Sequence, residues 1–144
     1  MIGGSLGAAN VNDAVRKALP QLLTDFQVVH ICGREKIDNL LLSTAGYKQF
    51  EYIKAELKDI FAMADLVISR AGANAICKLL ALKKPNILIP LPSKSSRGDQ
   101  ILNARSFEEQ GYSIVIDEDD LTTKLLVDKI HELYMNRMQY MEAM

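Results

Sequence analysis

Val11, Ala14, Val15, Ala18, Leu19, Leu22 and Leu23 recur three and four positions apart, the spacing of one buried helix face. Pro20 falls inside that stripe and is expected to break or bend the helix midway. The β-branched run at 27–31 predicts a strand, 36–45 a helix and 48–53 a second strand. Alternation then continues: helix 56–63, strand 66–68, helix 73–82, strand 86–89, helix 99–110, strand 113–116 and helix 121–136. Strands that are apolar throughout, separated by helices, predict a mainly parallel sheet covered on both faces. The expected class is therefore a doubly wound, Rossmann-like α/β fold, with residues 1–144 forming one domain.

Both ends of the pattern look cut short. Only Met1 and Ile2 precede the first glycine turn, so the strand expected there is nearly missing, and the chain is expected to derive from something longer. Tyr134, Met138 and Met141 make an apolar stripe on the terminal helix, expected to be core or, failing that, a docking face for a second chain.

Composition narrows the partners. The 144 residues are 49% hydrophobic and 24% charged, ordinary values for a globular domain. Seventeen basic and eighteen acidic residues leave a net charge of −1, so no long-range positive field recruits nucleic acid. Cys32 and Cys77 have no second Cys or His at metal-ligand spacing, which argues for free thiols in a reducing compartment. With no apolar run of bilayer length and no signal-peptide pattern near residue 1, a cytoplasmic location is expected.

Two strand-to-helix turns carry the candidate chemistry: Gly3-Gly4-Ser5-Leu6-Gly7-Ala8 and Ser69-Arg70-Ala71-Gly72-Ala73-Asn74. Such turns aim backbone N–H groups of a helix start at an anion. In a sheet of order 3-2-1-4-5-6 they flank the crevice where strand order reverses, and ligands bind there. Two phosphate-type turns together suggest a nucleotide. Gly3-x-Ser5-x-Gly7 also fits a serine-hydrolase elbow. That reading lacks partners, because His30 lies within an apolar strand and His131 on a terminal helix.

These turns, together with Ala64-Asp65-Leu66-Val67-Ile68, Lys84-Pro85, Ile89-Pro90 and Gln100-x-x-Asn103-Ala104, resemble the C-terminal half of the MurG-type peptidoglycan N-acetylglucosaminyltransferases of glycosyltransferase family 28. The resemblance runs in order along nearly the whole chain. It implies one half of a GT-B enzyme that moves GlcNAc, with inversion, from UDP-GlcNAc to undecaprenyl-linked lipid I, giving lipid II. It also implies no metal, and the sequence has no Asp-x-Asp pair or histidine cluster suited to one. Gly4, Ser5, Leu6 and Gly7 with Arg70, Gly72, Ala73 and Asn74 would hold the diphosphate and neighbouring sugar. Ile53 would lie beside uracil, and Asp99, Gln100 and Asn103 would meet the GlcNAc hydroxyls and diphosphate.

Three positions depart from the family pattern. Lys78 stands where the family carries a Glu that accepts bonds from ribose hydroxyls, and an ammonium only donates. Losing such a bond costs about 1.5–3 kcal/mol, roughly ten- to a hundredfold in affinity. Asp99 replaces a His or Gln, and Ala71 a frequent Ser, both milder changes. No catalytic residue is expected in this chain, because the family's N-terminal half supplies acceptor binding, the membrane-contacting patch and the base. Alone it is expected to be inactive, either as a donor domain whose acceptor half is elsewhere, as one subunit of a two-chain transferase, or as a nucleotide-binding remnant. Full-length family members are expected at the inner face of the plasma membrane.

Overall fold

The computed structural model describes residues 8–144. Helix α1 (Ala9–Asp25) leads into β1 (Val28–Ile31), and β2 (Tyr47–Phe50) pairs parallel to it with Val28 opposite Tyr47. After α2 (Leu57–Met63), strands β3 (Val67–Ser69), β4 (Asn86–Leu88) and β5 (Ser113–Val115) form a second parallel set with β4 in the middle. Helices α3 (Ala73–Ala81) and α4 (Asp99–Glu109) connect these strands, and α5 (Thr123–Met135) and α6 (Arg137–Ala143) follow. The pairings are those that order 3-2-1-4-5-6 requires on either side of its first strand. That strand, expected before Gly3, lies outside the described residues.

Strand β4 explains why its run is apolar throughout. Ile87 and Ile89 join α1 and α5 side chains, including Val15, Leu22, Leu126 and Leu133, in one core. Leu88 faces the other way, into a second core with Phe61, Ile76, Leu79 and Phe107 from α2, α3 and α4. Both faces of the sheet are covered, as the alternating pattern required.

One chain of hydrogen bonds shows that the strands end on a common edge. Asn12 Nδ2, near the start of α1, donates to Cys32 O just after β1 at 2.7 Å. Asn10 Nδ2 donates to Glu118 Oε1 after β5, and Glu118 Oε2 lies 2.6 Å from Nη1 of Arg70, the residue after β3. Arg70 Nη1 also donates to Ile89 O and Pro90 O after β4. The C-terminal ends of β1, β3, β4 and β5 therefore gather around the first turn of α1, the edge at which doubly wound sheets bind ligands.

Three expectations are corrected. Helix α1 passes through Pro20 without a break. Pro20 sits on the exposed side, and Val15, Ala18, Leu19 and Leu22 are buried on both sides of it in the chain. Burial at about 1.5–3 kcal/mol per large side chain outweighs an interior-proline cost of about 3 kcal/mol. Residues 36–45 form no α-helix; only Asn39–Leu41 makes a 3-10 turn. There the Asp38 carboxylate accepts from Leu40 N, and Gln49 bonds both Asp38 N and Asp38 O, so side chains take the groups a helix would pair. The terminal stripe is divided at Asn136 between α5 and α6, and only Tyr134 packs, edge-on against Phe26 with centroids 5.4 Å apart. Met138 remains 60% exposed, and Met141 is also exposed, so the stripe is not core.

Candidate functional site

Helices α3 and α4 both open at this edge, and neither start is capped by a side chain. Gly72 is the N-cap of α3, with Ala73 and Asn74 exposed after it. Gly98 is the N-cap of α4 at φ +85°, a left-handed conformation that glycine adopts without strain. By contrast, α5 spends the hydroxyl of Thr122 on Leu125 N at 3.1 Å. First-turn N–H groups have no intrahelical partner, so an uncapped start retains donors and a positive dipole end for an anion.

The α3 opening is held from α4. Gln100 Oε1 accepts from Ala71 N at 3.3 Å and from Leu91 N at 3.0 Å, tying the turn after β3 to the loop after β4. Asn103 Nδ2 donates to Ala71 O at 3.0 Å. The two carboxamides fasten both backbone groups of Ala71, the residue before the N-cap. Gln100 Nε2 lies 3.8 Å from where a Cβ on Gly72 would stand, so the side chain lies directly against the α3 opening.

Arg70 is turned inward. Its side chain is 6% exposed and its Nη1 is engaged by Ile89 O, Pro90 O and Glu118. It holds the loops that shape the edge, from beneath. Lys78 is exposed in the last turn of α3, roughly 9 Å along the axis from Gly72. Ile53 is half-buried in the loop after β2, and Asp99 is exposed at the first position of α4. Gly4, Ser5, Leu6 and Gly7 lie outside the described residues.

A buried polar group backs the start of α1. Asn12 Oδ1 is 2.8 Å from His30 Nε2, and Tyr47 Oη is 2.6 Å from His30 Nδ1. Since Asn12 uses its amide on Cys32 O, its oxygen accepts from His30 Nε2–H, and Tyr47 donates to Nδ1. Burial, with the nearby Arg16 charge, lowers the His30 pKa to about 3, so the ring is neutral. Burial likewise raises the Cys32 and Tyr47 values. A neutral, fully engaged His30 is no general base. His131 pairs with Asp25 at the last residue of α1, roughly 24 Å from its first, which removes the other hydrolase candidate. Among the described residues, no group of three or more His, Cys, Asp or Glu could hold a metal ion. Both cysteines are free, Cys32 buried and Cys77 exposed.

Residues 1–144 match the family model described as the glycosyltransferase family 28 C-terminal domain. The chain belongs to glycosyltransferase family 28. A family 28 relative from Lachnospira eligens, named UDP-N-acetylglucosamine--N-acetylmuramyl-(pentapeptide) pyrophosphoryl-undecaprenol N-acetylglucosamine transferase, is 60% identical over 140 residues, 97% of this chain and 40% of its own length. A relative of the same name from Geobacillus thermodenitrificans is 54% identical over 99% of this chain and 40% of its own. The chain thus spans about two fifths of the curated relatives it matches. MurG of Acinetobacter baumannii superposes with a TM-score of 0.82 at 26% identity, over 99% of this chain and 41% of that one. The glycotransferase of kitacinnamycin superposes at 0.77 with 20% identity, a likeness of fold alone. The family 28 fold seen here is the doubly wound half of a GT-B glycosyltransferase.

Sequence reasoning missed Glu118, which stands within the acidic run Asp117 to Asp120. It also missed that Gln100 and Asn103 brace the turn. Their spacing of three on one helix face signals that they act together, but not on what.

Proposed function

We propose that this chain is the donor-binding domain of a MurG-like inverting N-acetylglucosaminyltransferase, holding UDP-GlcNAc while an acceptor-binding part presents lipid I. The observation that carries the reading is the pair of uncapped helix starts, that of α3 braced by Gln100 and Asn103 of α4, in a chain 54–60% identical to relatives bearing that enzyme name.

Displacement at the anomeric carbon expels UDP, and negative charge grows on the diphosphate as the bond breaks. Backbone N–H groups at Gly72, Ala73 and Asn74 meet that charge without reorganising, so the leaving group needs no metal; Gly4, Ser5, Leu6 and Gly7 are assigned to the same diphosphate on their sequence alone. Gln100 and Asn103 fix the turn and offer their remaining amide atoms to the diphosphate and sugar, beside Asp99. Ile53 faces uracil. Arg70 acts from behind, as a support for the turn rather than a contact to the donor. Lys78 replaces a ribose-accepting carboxylate and weakens the hold on the nucleoside. Acceptor binding and the base belong, on this reading, to the family's N-terminal half, so the chain by itself is expected not to transfer sugar.

Calorimetric titration of the purified chain with UDP-GlcNAc and UDP, with ADP as control, tests the reading. Saturable binding that prefers uridine is expected. A folded chain that ignores UDP at millimolar concentration, or takes ADP equally well, overturns it.

A further inference from the structure

Glu118 opens the short 3-10 turn Glu118–Asp120, in which Asp119 and Asp120 are exposed. Its side chain is 8% exposed and faces Arg70 at 6%. A carboxylate is costly to bury unless it is paired and its oxygens bonded, and here both are used. Oε2 takes Arg70 Nη1 at 2.6 Å and Oε1 takes Asn10 Nδ2 at 3.0 Å. Asn10 is three residues past Gly7, and Arg70 two residues before Gly72. One carboxylate therefore spans the elements that follow the first glycine turn and precede the second.

We infer that Glu118 is a positioning residue of the donor site, fixing the first turn of α1 against the turn that opens α3. This rests on the donor-site reading above. Backbone donors at the start of α3 help a diphosphate only if they are correctly placed before it arrives, and small displacements of positioned groups cost large factors. Arg70 extends the tie to Ile89 and Pro90, so the same carboxylate also fixes the loop leading to Gly98. The nucleoside end of the site, at Ile53, lies outside this tie.

The test compares Asn10→Ala and Glu118→Gln with the unaltered chain, measuring affinity for UDP and, by competition, for uridine, alongside the thermal unfolding midpoint. Asn10 is exposed, so its variant removes one tie and leaves the ion pair and fold in place. Both variants are expected to weaken UDP about tenfold while leaving uridine unchanged. Equal loss for UDP and uridine, or no loss in Asn10→Ala, overturns the inference even if Glu118→Gln fails to fold. An unaltered chain that binds no UDP overturns the donor-site reading and this inference with it. Binding by that chain with unaffected variants overturns only the inference.

Discussion

The carboxamide of Asn103 donates to the carbonyl oxygen of Ala71 at 3.0 Å, so α4 grips the residue before the N-cap of α3. Replacing Asn103 with Ala removes that grip and leaves a carbonyl without its partner. The expected result is a loss of about 1 kcal/mol in stability and roughly tenfold weaker UDP binding. Chemical denaturation and calorimetry measure the two separately. Full affinity with reduced stability would assign Asn103 to the fold alone.

Lys78→Glu should restore a carboxylate that accepts bonds from ribose hydroxyls. UDP affinity is expected to rise ten- to a hundredfold, with a much smaller gain for a 2′,3′-dideoxy analogue. An equal gain for both ligands would mean that the ammonium had opposed binding for some other reason.

His30 makes the fold acid-sensitive. Its folded pKa, about 3, lies below the unfolded value near 6.5, so in that interval the unfolded chain binds more protons. The stability from a neutral His30 is complete above pH 6.5 and is lost as pH falls towards 3, with an upper bound of about 5 kcal/mol. Urea unfolding at pH 7.5, 6 and 4.5 should show the decline. Proton resonances of the ring should not titrate above pH 4; a midpoint near 6.5 contradicts the buried network.

His131 has the opposite sign. A hydrogen bond to Asp25, aided by the Val127 carbonyl, raises its pKa. Its contribution is complete below the unfolded value near 6.5 and fades as pH rises through the folded one. In Asp25→Asn the measured His131 pKa should fall towards its ordinary value. No change would mean that the pair is not formed in solution.

Patterns that depend on burial were legible in the sequence. Ile87 to Ile89 read as a two-faced strand because both faces are covered, and the α1 stripe from Val11 to Leu22 was legible because it is buried, whereas its unbroken passage through Pro20 was not. Residues 36–45 misled because Ile37, Leu40 and Leu41 mimic helical spacing, whereas Leu40 is 93% exposed and the segment's geometry is set by Gln49. That contact joins positions eleven apart and leaves no local period. The turn before α3 was visible as a glycine-bearing strand end. The inward direction of Arg70 was not, since Glu118, 48 residues away, determines it.

The proposed donor site runs across the starts of α3 and α4. Amide chemical shifts of the isotope-labelled chain, followed during titration with UDP-GlcNAc, test this most directly. Saturable changes are expected at Gly72, Ala73, Asn74, Gly98, Gln100 and Ile53. Changes confined instead to the apolar cavity lined by Leu22, Val28, Leu66 and Ile68 would contradict it.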